Sequence, residues 1–200
     1  MSNYITSNFS NLIFSCSVPS QWHMEHRVTD HCVVFVRQGK LLISDKGRTE
    51  EIPAGSCVFL KKDCSVRLVK ASFAGKNYEG LNIRLPQNIL EDYFQRHLKN
   101  NEFSQDFTGL SNCFMRLNRT LCLQGLLSSI ILFVEEGQDP GQKMTELKVE
   151  ELILDLLQTN IRFFPTLFDF YRDWNVDLKE FMEDHFTENL SLSELSLIHI

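Results

Sequence analysis

A chain of 200 residues with 43% hydrophobic content and 16 Phe is long and apolar enough to bury a substantial core, which excludes a disordered chain. Its formal net charge of −6 argues against a surface that grips nucleic-acid phosphates by itself, because that needs a clustered basic face. The charge is uneven: residues 1–80 hold 10 Lys and Arg against 7 Asp and Glu, net +3, and residues 81–200 hold 10 against 19, net −9.

The N-terminal MSNYITSNFSNLIF has neither a basic leader nor a continuous apolar run, and no later apolar run reaches the ~18 residues of a membrane span. A cytoplasmic protein with no membrane partner is expected. The six cysteines (Cys16, Cys32, Cys57, Cys64, Cys113 and Cys122) show no CxxC spacing and are expected to be free and largely buried.

Residues 3–18 are expected to supply one or two strands, and WHMEHRVTDH then reads as a loop holding His23, His26 and His31. From about 31 to 85, short runs rich in Val, Ile, Leu and Phe (CVVFVR, KLLIS, SCVFL, SVRLV, YEGLNIRL) are separated by turn residues at Gln38-Gly39, Asp45-Lys46-Gly47 and Pro53-Ala54-Gly55. That spacing predicts antiparallel strands in a small barrel or sandwich.

After Pro86 the period lengthens from two to nearly four. Pro86 suits the start of a helix with Ile89, Leu90, Tyr93, Phe94 and Leu98 on one face. Ser111-Asn112 is expected to cap a second helix that runs to about Glu136, interrupted at Gly125, and GQDPG at 137–141 is a break. A third helix over Met144–Asn160 carries Leu147, Leu152, Ile153, Leu154, Leu156 and Leu157, an apolar arc too wide for one contact. The aromatic stretch Arg162–Trp174 reads as a short helix leading into a final module, in which Asp177–Phe186 and Leu192–Ile200 are helices joined by a turn. No third helix follows to read DNA.

Residues 39–60, GKLLISDKGRTEEIPAGSCVFL, carry a glycine after a strand, a charged second turn and an IPAG turn before an apolar strand. They resemble the hairpin pair of the cupin-type barrel in the sensor domain of AraC-family transcriptional regulators. TELKVEELILDLL resembles the helical region that follows that barrel, where several members dimerise, and DLKEFMEDHFTENLSLSEL resembles the start of the family's DNA-binding domain. Together these motifs cover about residues 28–195 in the family's order. The resemblance implies an α+β chain: a cupin-like antiparallel β-barrel of jelly-roll type over 1–85, a helical dimerisation and linker region over 86–174, and an incomplete helix-turn-helix over 175–200. Family members continue with a recognition helix, a connecting helix and a second helix-turn-helix, whereas this sequence finishes in SLIHI. The expectation is a truncated relative, a frameshifted one or a sequence cut at an artificial boundary, able to bind a small-molecule or protein effector and to form a homodimer. It would reach promoter DNA only through the missing part.

Candidate chemistry is sparse. A cupin metal centre needs a His-x-His pair, a Glu and a later His, and here Leu41, Ile43, Phe59, Val66 and Leu68 stand at interior strand positions instead. No metal, cofactor or catalytic residue is expected, and Cys32 next to His31 reads as a buried strand cysteine, since neighbours in a strand point to opposite faces. Tyr78, Asn82 and Arg84 alternate along a strand whose other face carries Leu81 and Ile83. They form either an effector pocket with an arginine for an anionic ligand or a solvent-facing row. On the third helix Leu147, Glu150, Glu151, Leu154 and Leu157 are the candidate dimer face, with ordinary core as the alternative. Leu178, Phe181, Met182 and Leu190 are expected to pack the last two helices, with Ser191 and Glu194 as a capping box. The rival functions are a cupin-fold metal-dependent enzyme and a protein-binding regulatory module that does not touch DNA.

Overall fold

The computed structural model describes residues 5–19, 21–98 and 108–170. The chain divides into two compact units, Met1–Leu167 and Phe168–Ile200, and every described strand and helix belongs to the first. Leu178, Phe181, Met182, Leu190, Ser191 and Glu194 lie outside the described residues.

Short runs with β-branched and aromatic residues build the strands β1 (Ile5–Phe9), β2 (Ile13–Val18), β3 (Trp22–Arg27), β4 (His31–Gln38), β5 (Lys40–Asp45), β6 (Arg48–Pro53), β7 (Ser56–Leu60), β8 (Ser65–Ala71) and β9 (Tyr78–Leu85), with burial alternating along β5 and β8 and nearly continuous along β4 and β7. Helix α1 (Gln87–His97) follows, then β10 (Phe114–Arg116), α2 (Leu121–Glu135), α3 (Gln142–Thr159) and α4 (Phe163–Leu167). The strands form a six-stranded sheet in the order β1-β2-β9-β4-β7-β10 and a four-stranded sheet in the order β3-β8-β5-β6. All paired neighbours are antiparallel. The two sheets stack face to face, the jelly-roll arrangement of a cupin-like fold.

Two apolar layers result. Between the sheets lie Val18, Cys32, Val34, Val36, Val58, Leu60 and Phe114 from the larger sheet and Leu41, Ile43, Ile52, Val66 and Leu68 from the smaller. The opposite face of the larger sheet packs under the helices. There Phe59 stacks on His31, with ring centroids 5.5 Å apart, and meets Phe163 edge-on at 5.0 Å. Val149, Leu152, Ile153 and Leu156 of α3 and Leu123, Leu126, Leu127 and Ile130 of α2 are buried in this layer.

Gly39 is where the chain passes from one sheet to the other. Its φ is +72°, and a Cβ there would stand 2.6 Å from the Ala71 carbonyl oxygen and 2.8 Å from Tyr78 Cα, so both the conformation and the space demand glycine.

Several local expectations are corrected. WHMEHR is the edge strand β3 and not a loop, because paired with β8 it sends Met24 and His26 toward the core side while Trp22, His23, Glu25 and Arg27 stay exposed. Residues 114–116 return to the larger sheet as β10, so the helix expected from Ser111-Asn112 begins later. Its cap is Thr120, whose hydroxyl oxygen accepts a 2.9 Å bond from the Leu123 amide and donates to the buried Asp155 at 2.7 Å. Helix α2 runs through Gly125 without a break. Phe59 faces the helices and not the space between the sheets.

Thr120→Ala removes a helix cap and strips a buried carboxylate of a donor. It should destabilise the fold by about 1–3 kcal/mol, read as a lower urea midpoint at unchanged m-value; an unaltered midpoint would show that the cap contributes nothing.

Candidate effector site between the sheets

Strand β9 lies between β2 and β4 and is buried on both sides. Period two sends Leu81, Ile83 and Leu85 toward the helices and Tyr78, Gly80, Asn82 and Arg84 toward the opposite sheet. The row grades from buried to exposed: Tyr78 is shut off from solvent, Asn82 is half-buried, and the Arg84 side chain is 38% exposed. Tyr78 is fully buried among the residues between the sheets, at 0% exposure. Its phenol lies across Gly80, where a Cβ would come within 2.6 Å of the hydroxyl. That hydroxyl has no hydrogen-bond partner among the described residues, and neither does the buried Asn82 Oδ1. Such atoms normally find partners, because an unpaired buried polar group costs about 1–3 kcal/mol. Burial also pushes the Tyr78 phenol well above its ordinary pKa, so it stays a neutral donor.

The three residues do not converge on one point. Tyr78 and Arg84 are six residues apart on one strand, roughly 20 Å at a strand's rise. Arg84 at the far end is paired with Asp30, and its Nη1 also reaches the Asn11 carbonyl at 3.4 Å, so its charge is already neutralised.

The cation at the Tyr78 end is Lys70. On β8 it shares the inward face of Val66 and Leu68, and its Nζ lies 5.1 Å from the Trp22 ring centroid and 5.5 Å from that of Tyr78. It donates a 3.3 Å bond to the Cys16 sulfur on the facing sheet. Among the described residues no carboxylate pairs with it. Sequence reading did not single out Lys70, although the signal was present: in SVRLVKA a lysine falls on the same alternating face as Val66 and Leu68. Nearby His26 is held below its ordinary pKa, first by burial and then by the Lys70 charge.

Nucleophile and metal positions are poorly served. The Cys32 thiol is pushed up to about 12 by burial and then by Asp30, and Cys57 to about 12 by burial, so both are protonated at neutral pH. His23 and His26 occupy opposite faces of β3. Among the described residues no three His, Cys, Asp or Glu side chains converge as metal ligands.

The candidate dimer helix divides as its wide apolar arc requires. Val149, Leu152, Ile153 and Leu156 face the core, while Met144, Leu147 and Leu154 are 43%, 49% and 47% exposed. Leu147 and Leu154, two turns apart, lie on one stripe. Leu157 is half-buried, Glu151 pairs with Lys148 at 3.0 Å, and Glu150 is held by Arg96 of α1 at 2.7 Å.

Residues 31–163 match the family of ExsA N-terminal regulatory domains, and the chain belongs to that family, the regulatory portion of AraC-type regulators. Among solved structures, an apo ToxT variant from Vibrio cholerae is similar with a TM-score of 0.55 at 12% identity, over 76% of this chain and 58% of that one. Wild-type Vibrio cholerae ToxT with a bound unsaturated fatty acid gives a TM-score of 0.51 at 13% identity, over 74% and 53%. Vibrio cholerae ToxT bound to (E)-4-(8-methylnaphthalen-1-yl)but-3-enoic acid gives 0.51 at 13%, over 74% and 55%. At such identities the likeness is one of fold. The chain spans between half and three fifths of the length of these ToxT chains. No curated protein sequence matches it.

Because the His26 shift is downward, the folded state prefers the neutral ring. Stability from this group is complete above about pH 6.5 and falls as pH drops toward the folded-state pKa. Lys70→Met should move the NMR titration midpoint of His26 upward, part of the way to 6.5, since burial remains; an unmoved midpoint would separate the two residues. Thiol chemistry gives a second check. Cys122 is the exposed thiol and should account for the fast phase with a disulfide reagent at pH 8, a phase that Cys122→Ser abolishes.

Proposed function

We propose that this chain is the effector-sensing and dimerisation portion of a DNA-binding transcriptional regulator, without enzymatic activity of its own and acting in the cytoplasm. No helix among the described residues is long and apolar enough to cross a membrane. The observation that carries the sensing reading is the double role of β9. One face presents the unpartnered Tyr78 and Asn82 atoms to the space between the sheets, and the other packs under the helical layer. An effector that binds Tyr78 and Asn82, with Arg84 fixing the far end of the strand through Asp30, biases how the helices sit on Leu81, Ile83 and Leu85. Promoter DNA is then reached only through DNA-recognition helices that these 200 residues do not supply. The fatty acid and the butenoic acid bound by ToxT support a small molecule as effector.

A second reading rests on the other end of the same interior. Val34, Val36, Leu41, Ile43, Val58, Leu60 and Phe114 fill it with apolar side chains, which favours a protein effector on the outer surface.

The proposed homodimer would use α3, on which Leu147 and Leu154 form an exposed stripe, the half-buried Leu157 adjoins it, and Glu150 and Glu151 flank it in intrasubunit ion pairs. Leu154→Glu puts a charge in the centre of that stripe. Light scattering should show a dimer for the wild type and a monomer for the variant at unchanged far-ultraviolet circular dichroism. A monomer in both, or a dimer in both, would remove this interface.

A further inference from the structure

Cys64 and Cys113 are far apart in sequence and meet at one end of the sandwich. Cys113 immediately precedes β10, and its carbonyl oxygen accepts a 2.8 Å bond from the Lys61 amide, which carries the antiparallel ladder one rung past Phe114 and Leu60. From Lys61 the chain turns back through Lys62 and Asp63, with Asp63 at a φ of +60°, and a turn of this kind brings its two ends within about 7 Å. Cys64 stands at the far end of that turn, where its carbonyl oxygen accepts a 2.8 Å bond from the Val28 amide. Both side chains pack into the apolar layer between the sheets, Cys113 buried and Cys64 half-buried at its edge. There the Cys113 side chain is hydrogen-bonded to Cys64 and to Asp45 at the end of β5. Burial pushes the Cys113 thiol up to about 12, and Cys64 and then Asp45 push it the same way, so it is protonated at neutral pH. Both thiols are free in the structure. An open cleft lined by Asp45, Ser65 and Val66 adjoins Cys64 and gives a small oxidant a route to it.

We infer that Cys64 and Cys113 form a thiol-disulfide switch, in which a hydroperoxide oxidises Cys64 and Cys113 then closes the disulfide. The half-buried Cys64 is the accessible member of the pair and reacts first. Its sulfur attacks hydrogen peroxide, the O–O bond breaks, and Cys64 becomes a sulfenic acid as one water leaves. The Cys113 sulfur then attacks the Cys64 sulfur. The S–S bond forms, the S–O bond breaks, and the departing hydroxide takes the Cys113 proton to leave as a second water. The two thiols lose two electrons and two protons, and the peroxide is reduced to two waters. In a reducing compartment such a bond is transient, which suits a sensor.

The bond acts on a segment that is tied to the helices. The Leu110 amide donates to Thr166 Oγ1 of α4 at 2.8 Å, and the Leu110 carbonyl oxygen accepts from Lys61 Nζ at 2.9 Å. A Cβ on Gly109 would stand 3.0 Å from the same Thr166 hydroxyl oxygen, so this segment lies close against α4. The disulfide pins it to the turn between β7 and β8, and α4 loses freedom with it. The switch stands independently of the effector-sensing role.

The test uses the full chain carrying Cys122→Ser, which removes the exposed thiol and with it links between molecules. After a slight excess of hydrogen peroxide and tryptic digestion without reduction, peptides 63–67 and 100–116 should appear joined, two hydrogens lighter than their sum, and should separate with dithiothreitol. With Cys113→Ser added, oxidation should stop at a sulfenic acid that dimedone labels on Cys64. With Cys64→Ser added, there should be neither a linked peptide nor a label on Cys113. Oxidation should slow amide exchange in α4, residues 163–167, about tenfold, and Cys64→Ser should abolish the slowing. Failure of the two peptides to join, or dimedone labelling of Cys113 in place of Cys64, overturns the disulfide pair. A joined pair with unchanged exchange in α4 overturns the switch and leaves a cross-link without effect on the helices.

Discussion

The structure depends on one strand being buried on both faces. β9 is hydrogen-bonded between β2 and β4, and its sequence YEGLNIRL satisfies two layers at once. Shifting its register by one residue would move Leu81, Ile83 and Leu85 into the space between the sheets and Tyr78 and Asn82 under the helices, so the register is strongly determined. Gly39 and Gly80 enforce the arrangement from either side, one by backing onto Tyr78 Cα and the other by making room for its phenol. A strand so fixed transmits displacement, because close-packed layers on both faces leave it no independent freedom.

The helical layer is joined to the sheets by ion pairs as well as by apolar packing. Arg37 pairs with Glu79 of β9 at 3.6 Å and also with Glu135 at the end of α2. Arg96 of α1 reaches Glu150 of α3 at 2.7 Å. These groups are partly exposed, so each pair is worth at most about 1 kcal/mol after screening. Their role is orientation: Arg37 ties the end of α2 to the larger sheet and Arg96 ties α1 to α3, while the buried leucines supply the stability. A regulator needs the seating of its helices to be defined but changeable.

Much of this was legible in the sequence. Short runs rich in Val, Ile, Leu and Phe between turn residues identified β4, β5, β7, β8 and β9, and α1 and α3 followed from the change of period at Pro86 and from the Leu-rich arc. The failures share a cause. β3 is an edge strand with one half-buried face, so WHMEHR alternates weakly and its two histidines suggested a loop. β10 has three residues and exists only because β7 offers an open edge, a tertiary effect that no local pattern encodes. Thr120 was passed over as a cap because Ser111-Asn112 stands nearer the start of the apolar text. In the site, Tyr78 and Asn82 were visible but their side of the sheet was not, since alternation alone does not say which face meets the core. Lys70 was missed because a lysine in a strand is ordinarily a solvent residue, and its inward position follows only from register with Val66 and Leu68.

The central claim is that the space between the sheets and the helical layer are coupled through β9, and hydrogen exchange on the wild type and Gly80→Ala tests it most directly. The added methyl meets the Tyr78 hydroxyl at 2.6 Å and the Phe35 carbonyl oxygen of β4 at 3.0 Å, so the disturbance starts within the larger sheet and on its inner face. The account predicts faster exchange in β9 and also in peptides spanning α2 and α3, 121–135 and 142–159, under conditions where both proteins remain folded. Faster exchange confined to the strands, with α2 and α3 as protected as in the wild type, would contradict it.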